Sequence, residues 1–380
     1  MKIIVLIRFT LDWSKMGGIE STQAYLMDEM TRRDDVEIQL ITSHPDVAEM
    51  QVRYRGPVRI TYVPRARLGR MNLYRGDIAR IRDLIQAEKP DIIHAHGTGL
   101  YAGAALASGI PAVVTVHGIM YRELRYYRGL PVIVRGVWDA LYERYCLRRT
   151  KYLIAIASYV QREFAGMTRA RVWNVPSAIS NAFFDVTRAP RPHTILFPGV
   201  VAPRKAVDEL LSAIAIVRRT LPDVRLRIAG ETVSYPDYVA GLHRFVAQNG
   251  MESNVEFLGV LPEEAMLSEY GQAAALALSS HQETLPAVIE QAMAARVPVV
   301  STAVGGVPDV VVHERTGLLV QPGDVEGLAA ELLRVLTNQG LAGSLAAQAR
   351  QYAEENFRAS AVAQKLLNVY QTIRESEGRA

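Results

Sequence analysis

Residues 194–218 read TILFPGVVAPRKAVDELLSAIAIVR. The run 194–198 is apolar without alternation, which suits a strand buried on both faces. A loop with Gly199 and the adjacent cations Arg204 and Lys205 follows. From Val207 onward, Leu210, Leu211, Ile214 and Val217 recur at helical spacing, so 207–218 reads as a helix with one apolar face. An unalternating strand joined to an amphipathic helix is the building unit of a parallel sheet covered on both sides.

The same rhythm extends in both directions. Downstream, strands are expected at 224–229, 255–258, 274–278, 298–301 and 317–320. Helices fall over 236–249, 262–270, 286–295, 325–336 and 340–355. Upstream, strands are expected at 2–8, 37–42, 59–63, 91–94, 111–117, 152–156 and 171–175, with helices over 21–31, 77–88 and 102–107. Residues 185–194 (DVTRAPRPHT) are polar, proline-rich and aperiodic, and mark a boundary. The fold class is therefore α/β, with two Rossmann-like doubly wound domains over 1–187 and 188–358 and a last helix within 359–380. Ligands are expected at the carboxyl ends of the strands. No short fixed-period repeat is visible, which argues against a solenoid.

Composition narrows the class. The chain has 380 residues, 49% of them hydrophobic, and a formal net charge of +4, too small for a strong nucleic-acid signal. Cys146 stands alone, which excludes an internal disulfide or a thiolate metal cluster and fits a reducing, cytoplasmic setting. MKIIVLIRF is cut off by Arg8 and reads as a first strand, not a signal peptide. With no run of 18 apolar residues, membrane contact would be peripheral, on the inner face of the cytoplasmic membrane.

Several loops carry chemistry. Gly17 and Gly18 lie between a strand and a helix, where backbone can approach an anion, although a plain tight turn explains them equally well. Arg204 and Lys205 suit a diphosphate, by forked contacts and a compact charge; cations at a helix start are electrostatically misplaced unless an anion binds there. Gly230 and Glu231 follow the strand VRLRIA. SHQETLP at 280–286 puts Glu283 in a loop, where its carboxylate can accept sugar hydroxyls or cap the next helix. Thr284 and Leu285 offer N–H groups there, and Glu290 or Gln291 lies within reach of a ribose. Gly305 and Gly306 follow the strand PVVS and suit a special turn. His94, His96 and His117 end neighbouring strands, but no companion acid or cysteine pattern supports a metal, and none is expected.

Charge is uneven. Residues 53–82 hold nine arginines against one acid, and 120–151 hold eight basic residues against three acids, interleaved with Tyr121, Tyr126, Tyr127, Trp138, Tyr142 and Tyr145. Arg65, Arg67, Arg70, Arg122, Arg125 and Arg128 are candidates to face an anionic membrane or a phosphorylated acceptor, against the alternative of an arginine-rich solvated face.

Together these segments resemble the retaining GT-B glycosyltransferases of group 1, family GT4, over nearly the whole chain. KPDIIHAHG (89–97), VVTVHG (113–118), PRKAVDELLSAI (203–214), LRIAGE (226–231), SSHQETLPAVIEQAMA (279–294), PVVSTAVGGVPDVV (298–311) and GLLVQPGD (317–324) carry the resemblance. It implies two domains facing across a deep cleft, with the acceptor on the N-terminal and the nucleotide sugar on the C-terminal one. The last helix would pack back on the N-terminal domain. By the same resemblance His117 contacts the donor sugar, Arg204 and Lys205 hold the diphosphate beside the Gly17–Gly18 backbone, and Glu283 orients sugar hydroxyls. The family pairs two glutamates with seven residues between; here Gln291 holds the second place and Glu290 falls one residue early. A glutamine can still accept and donate to a ribose.

The function implied is retaining transfer of a hexose from a UDP- or GDP-linked donor to an acceptor hydroxyl, in bacterial cell-surface glycan or glycolipid synthesis. The acceptor expected is lipid-linked or an anionic glycan. No metal or other cofactor is expected, because cationic side chains would carry the leaving-group charge. A sugar-nucleotide epimerase of the same architecture is the enzymatic alternative, though no acid/base pair marks it. A non-catalytic basic binding module is the other, favoured by loss of the second glutamate.

Overall fold

The computed structural model describes residues 1–13, 16, 18–66, 69–126 and 129–378, without the side chains of 70, 71 and 131. The chain divides into two compact units. The first joins Met1–Ala178 to the segment from Ala359 onward, and the second is Ile179–Arg358.

The first unit is built on eight strands: β1 (Lys2–Leu6), β2 (Glu37–His44), β3 (Gln51–Arg55), β4 (Val58–Pro64), β5 (Ile92–His96), β6 (Ala112–Val116), β7 (Tyr152–Ala155) and β8 (Arg171–Asn174). Their order is β3-β4-β2-β1-β5-β6-β7-β8, parallel throughout except for the β3–β4 hairpin. The second unit has six parallel strands: β9 (Thr194–Pro198), β10 (Arg225–Ala229), β11 (Val255–Gly259), β12 (Ala275–Leu278), β13 (Val299–Thr302) and β14 (Leu318–Val320), in the order β11-β10-β9-β12-β13-β14. The chain reverses its direction across the sheet between β1 and β5 in the first unit, and between β9 and β12 in the second. Those reversals are where neighbouring loops part and leave a crevice.

The core follows the sequence pattern. All of β9 and β12 is buried, and helix Val207–Val217 buries Val207, Leu210, Leu211, Ala213, Ile214 and Val217 against the sheet. Each such side chain contributes about 1.5–3 kcal/mol by leaving water. The final helix Ala359–Glu377 belongs to the first unit, where Val362, Leu366, Val369, Tyr370 and Ile373 join its core.

Two expectations need correction. The boundary lies near 178/179, not 187/188. Ile179 bridges to Arg358, and Phe183 packs edge-on against Tyr270 at 5.2 Å, so the segment before the proline-rich stretch already belongs to the second core. The stretch itself is no free linker. Arg188 donates to the carbonyls of Tyr270, Gly271 and Ala273, and the Ala189 and Arg191 N–H groups donate to those of Gly271 and Gln272. Secondly, β3 and the helix Leu130–Arg149 are additional elements. β3 is largely exposed, and the helix carries apolar residues on both its inner and outer sides, which blurs the period that reveals a helix.

Candidate active site

In the second unit, the loops leaving β9 and β12 meet where the strand order reverses. Arg204 and Lys205 occupy the short turn Pro203–Lys205, and Ala206 follows in the left-handed region at φ 47°. Glu283 stands in the loop before helix Ala287–Ala294. Lys205 Nζ and Glu283 Oε1 form a direct ion pair, with the two residues 7% and 6% exposed. Arg204 lies 3.7 Å from Glu283 Oε2 and donates to the Gln282 carbonyl at 3.1 Å. The Ser280 hydroxyl donates to Glu283 Oε1 at 2.7 Å. The loops are stitched together by the Ser279 hydroxyl on the Ala206 carbonyl at 2.7 Å and the His281 N–H on the Arg204 carbonyl at 2.9 Å. Burial pulls the Lys205 ammonium down from its ordinary range, while the Glu283 carboxylate pulls it back up. Cations and a carboxylate held side by side can bind an anion and a hydroxyl of one ligand together.

In the first unit, a cavity of about 780 Å³ opens at the β1/β5 reversal. Arg8 beyond β1, Thr98 beyond β5 and His117 beyond β6 line it. His117 stacks on His96 with ring centroids 5.1 Å apart, and its Nε2 is 2.8 Å from His96 Nδ1. His94 is held by the Tyr370 hydroxyl and the Thr115 hydroxyl, each at 2.6 Å. Burial pushes His94 down to about 3, His117 down to about 4, and His96 well below the usual histidine range. All three are therefore neutral near pH 7. Their nitrogens serve one another and neighbouring hydroxyls, and among the described residues no group of three His, Cys, Asp or Glu is placed to hold a metal ion. His96 Nε2 is buried with no hydrogen-bond partner.

Comparison with known proteins accounts for both halves. The family described as Glycosyltransferase Family 4 matches residues 16–181, and that described as Glycosyl transferases group 1 matches 179–356, so together they span 16–356. The chain belongs to the group 1, family 4 glycosyltransferases. It is 29% identical to the glycogen synthase of Mycobacterium tuberculosis over 302 residues, covering 76% of this chain and 70% of that protein. The sucrose-phosphate synthase of Thermosynechococcus elongatus superposes with a TM-score of 0.78 at 20% identity, covering 99% of each chain. Anabaena HepE, solved in complex with UDP and glucose, gives 0.74 at 20% identity, covering 98% of this chain and 100% of that one. The fold is that of the GT-B glycosyltransferases.

Within this glycosyltransferase the remaining candidates sort by environment. Gly18 opens helix Gly18–Met30 and lines the first cavity, and Gly17 lies outside the described residues. Gly230 is required by packing, since a Cβ there would sit 1.7 Å from the Gly199 carbonyl oxygen. Glu231 accepts from the Val233 and Ser234 N–H groups and so shapes its own loop. Thr284 and Leu285 directly precede Pro286, the residue capping the start of helix Ala287–Ala294, where first-turn N–H groups have no intrahelical acceptor. Gln291 accepts from the Tyr270 hydroxyl at 2.9 Å.

Glu290 is a correction. It is fully buried, electrostatically coupled to Tyr352 of helix Gln339–Asn356, and neither carboxyl oxygen has a partner. One residue along a helix turns a side chain by about 100°, which takes Glu290 into the core. Burial pushes its carboxyl up to about 8.

The arginine candidates also divide. Arg65 lines the first cavity, with its guanidinium over Tyr74. Arg122 is committed to a forked pair with Glu163 at 2.7 and 2.8 Å, which corrects its assignment as an anion contact. Arg125 is exposed, close enough to Glu163 to lower that carboxyl. Arg67 and Arg128, and the side chain of Arg70, lie outside the described residues. Elsewhere in 53–82, Arg55 pairs with Asp28, Arg59 with Glu88 and Arg82 with Asp83, while Arg53 and Arg80 donate to the Leu11 and Pro64 carbonyls. Much of that basic run is consumed inside the unit.

Proposed function

We propose that this glycosyltransferase transfers a hexose, with retention of anomeric configuration, from a UDP- or GDP-linked donor to an acceptor hydroxyl in cell-surface glycan or glycolipid synthesis. The observation that carries the donor assignment is the buried Lys205–Glu283 pair flanked by Arg204. A diphosphate takes the two cations and relieves Glu283 of its partner, and the freed carboxylate accepts hydroxyls of the sugar. As the sugar–phosphate bond breaks, Arg204 and Lys205 stabilise charge growing on the leaving diphosphate. On this reading the leaving phosphate takes the acceptor proton and no metal is needed. Gln291, pinned by Tyr270, meets the ribose, and in the first unit neutral His117 is available to a sugar hydroxyl. The first cavity takes the acceptor.

Peripheral contact with an anionic bilayer forms part of the proposal. It is supported by helix Leu130–Arg149, whose Leu130, Ile133, Val137, Trp138, Leu141 and Tyr145 are exposed, with Arg144, Arg148 and Arg149 in its last two turns. No helix among the described residues is long and apolar enough to cross a membrane.

The deciding experiment incubates the protein with UDP-glucose, UDP-galactose or GDP-mannose, with and without extracted membrane lipid. Release of nucleoside diphosphate, with an α-linked product by NMR, supports the proposal. A new epimer formed without acceptor selects the epimerase, and binding without turnover selects the non-catalytic module. Cosedimentation with phosphatidylglycerol vesicles but not phosphatidylcholine vesicles, lost in Trp138→Ser/Leu141→Ser, checks the membrane contact.

A further inference from the structure

His94 and His96 sit two apart on β5, so they share one face of the sheet. His96 is in register with Thr115 of β6, and His117 follows Thr115 by two. Parallel pairing thus brings His96 and His117 together at the carboxyl ends of adjacent strands, and both line the first-unit cavity. His96 Nδ1 and His117 Nε2 are 2.8 Å apart, a hydrogen-bond distance, with the ring planes 14° from parallel. His94 stands outside this pair, because both its nitrogens are taken by the Tyr370 and Thr115 hydroxyls.

Both rings of the pair are neutral near pH 7, and a neutral imidazole carries one N–H and one bare nitrogen. One proton lies between the two rings, so two arrangements are open. If His117 gives it from Nε2, the proton of His96 must sit on its own Nε2, which is buried without a partner. If His96 gives it from Nδ1, its Nε2 keeps only a lone pair. In folded backbones an orphaned N–H is rarer than an under-satisfied acceptor, and the same asymmetry favours the second arrangement. His117 then carries its own proton on Nδ1. That nitrogen makes no hydrogen bond among the described residues and is not sealed from solvent, so it is open to a ligand in the cavity.

We propose that His96 is a positioning residue: it fixes His117 as the Nδ1–H tautomer, so that His117 meets its ligand only by giving a hydrogen bond. This rests on the reading that the ligand of His117 is a sugar hydroxyl, and adds which partner gives the proton. A ring in this form selects an oxygen with a free lone pair. It cannot take a proton from the sugar, the step an epimerase would need of it.

The test labels the histidines of the full chain with nitrogen-15 and reads each tautomer near neutral pH from two-bond correlations between ring protons and ring nitrogens. His117→Gln assigns the His117 signals by their loss. In the wild type His117 is expected with a protonated Nδ1 and a bare Nε2. His96→Phe keeps a planar ring without a nitrogen, and His117 should then lose this single form as Nε2 gains the proton. His96→Asn, whose amide N–H stands near the place of Nδ1, should retain it. In turnover of UDP-glucose and GDP-mannose, His96→Phe should lower kcat/KM about 3–10-fold, the worth of one neutral hydrogen bond, with the Kd of UDP or GDP unchanged within about twofold. Because His96 acts through His117, His96→Phe should cost nothing further in a His117→Ala background. A His117 proton on Nε2 in the wild type, an unchanged tautomer in His96→Phe, or additive losses in the double variant would each overturn the proposal. If His96→Phe does not fold, the wild-type and His96→Asn spectra decide, since loss of the Nδ1 proton in either removes it. If neither nucleotide sugar is turned over, the transferase reading fails by itself, and the tautomer stands or falls on the spectra alone.

Discussion

The two units solve the same topological problem with opposite chemistry. Each reverses its strand order next to its first strand, and each gathers functional side chains near that reversal. In the second unit the loops leaving β9 and β12 deliver a cation and a carboxylate that neutralise each other while buried. In the first, strand β5, the loop after β6 and helix Leu130–Arg149 deliver three neutral histidines, one with an unpartnered nitrogen, and the Glu143 carboxyl, pushed up to about 7. The parallel fold settles where a ligand goes, and the loop residues settle which one. A charged pair suits the diphosphate end of a donor, whereas unfilled neutral groups suit hydroxyls.

The sharpest way to break this comparison is to remove one member of the charged pair. Lys205→Ala leaves the buried Glu283 with only the 3.7 Å contact to Arg204 and the Ser280 hydroxyl, and should cost about 3 kcal/mol in urea unfolding. It should also reduce kcat/KM for the donor by more than about a hundredfold. An equal loss from a neutral substitution in the first cavity would undo the contrast.

The units should also respond to pH in opposite directions. Glu290 has its folded value raised to about 8 from an ordinary 4.5, so the folded second unit holds a proton that the unfolded chain gives up. Its stability is highest below pH 4.5 and declines as pH rises to 8, by about 3 kcal/mol between pH 5 and 7.5. Glu290→Gln should flatten that decline, seen as amide exchange in helices Ala287–Ala294 and Gln339–Asn356. The first unit's histidines are lowered, so the unfolded chain binds more protons below 6.5 and stability is lost as pH falls through 6.5 towards 4. Glu143 opposes this between 7 and 4.5, but three histidines outweigh one carboxyl, leaving a net loss above about 1 kcal/mol per pH unit. Trp13, Trp138 and Trp173 all lie in the first unit, so tryptophan fluorescence reports its unfolding separately.

Smaller changes sharpen the picture. Gly230→Ala forces a Cβ into the Gly199 carbonyl and should cost about 1–3 kcal/mol, measured by thermal unfolding. Tyr370→Phe removes one hydrogen bond from His94 and should cost about 1 kcal/mol, visible in the fluorescence-detected Tm.

Much of this was legible in the chain. The apolar runs at 194–198 and 274–278 and the helical period from Val207 are local patterns, and local sterics with burial turn them into strands and a helix without reference to distant residues. The loop cations at 204 and 205 and the acid at 283 were visible as residue types at strand ends. The weakest readings were those where a segment's partner lies elsewhere. The proline-rich stretch looked like a linker because its hydrogen bonds run to 270–273, and the arginines of 53–82 looked like a free basic face because several of their partners lie outside that stretch.

The sequence by itself thus determined two doubly wound halves, most of their strands and the loops that carry the candidate site residues, because these follow from periodicity and chain order. Only the tertiary structure decided that Lys205 faces Glu283 across 78 residues, that Glu290 turns into the core while Gln291 meets Tyr270, and that Glu143 reaches the cavity of His96 and His117. Such contacts depend on how separate elements are rotated and packed, and that rotation is fixed by the whole core.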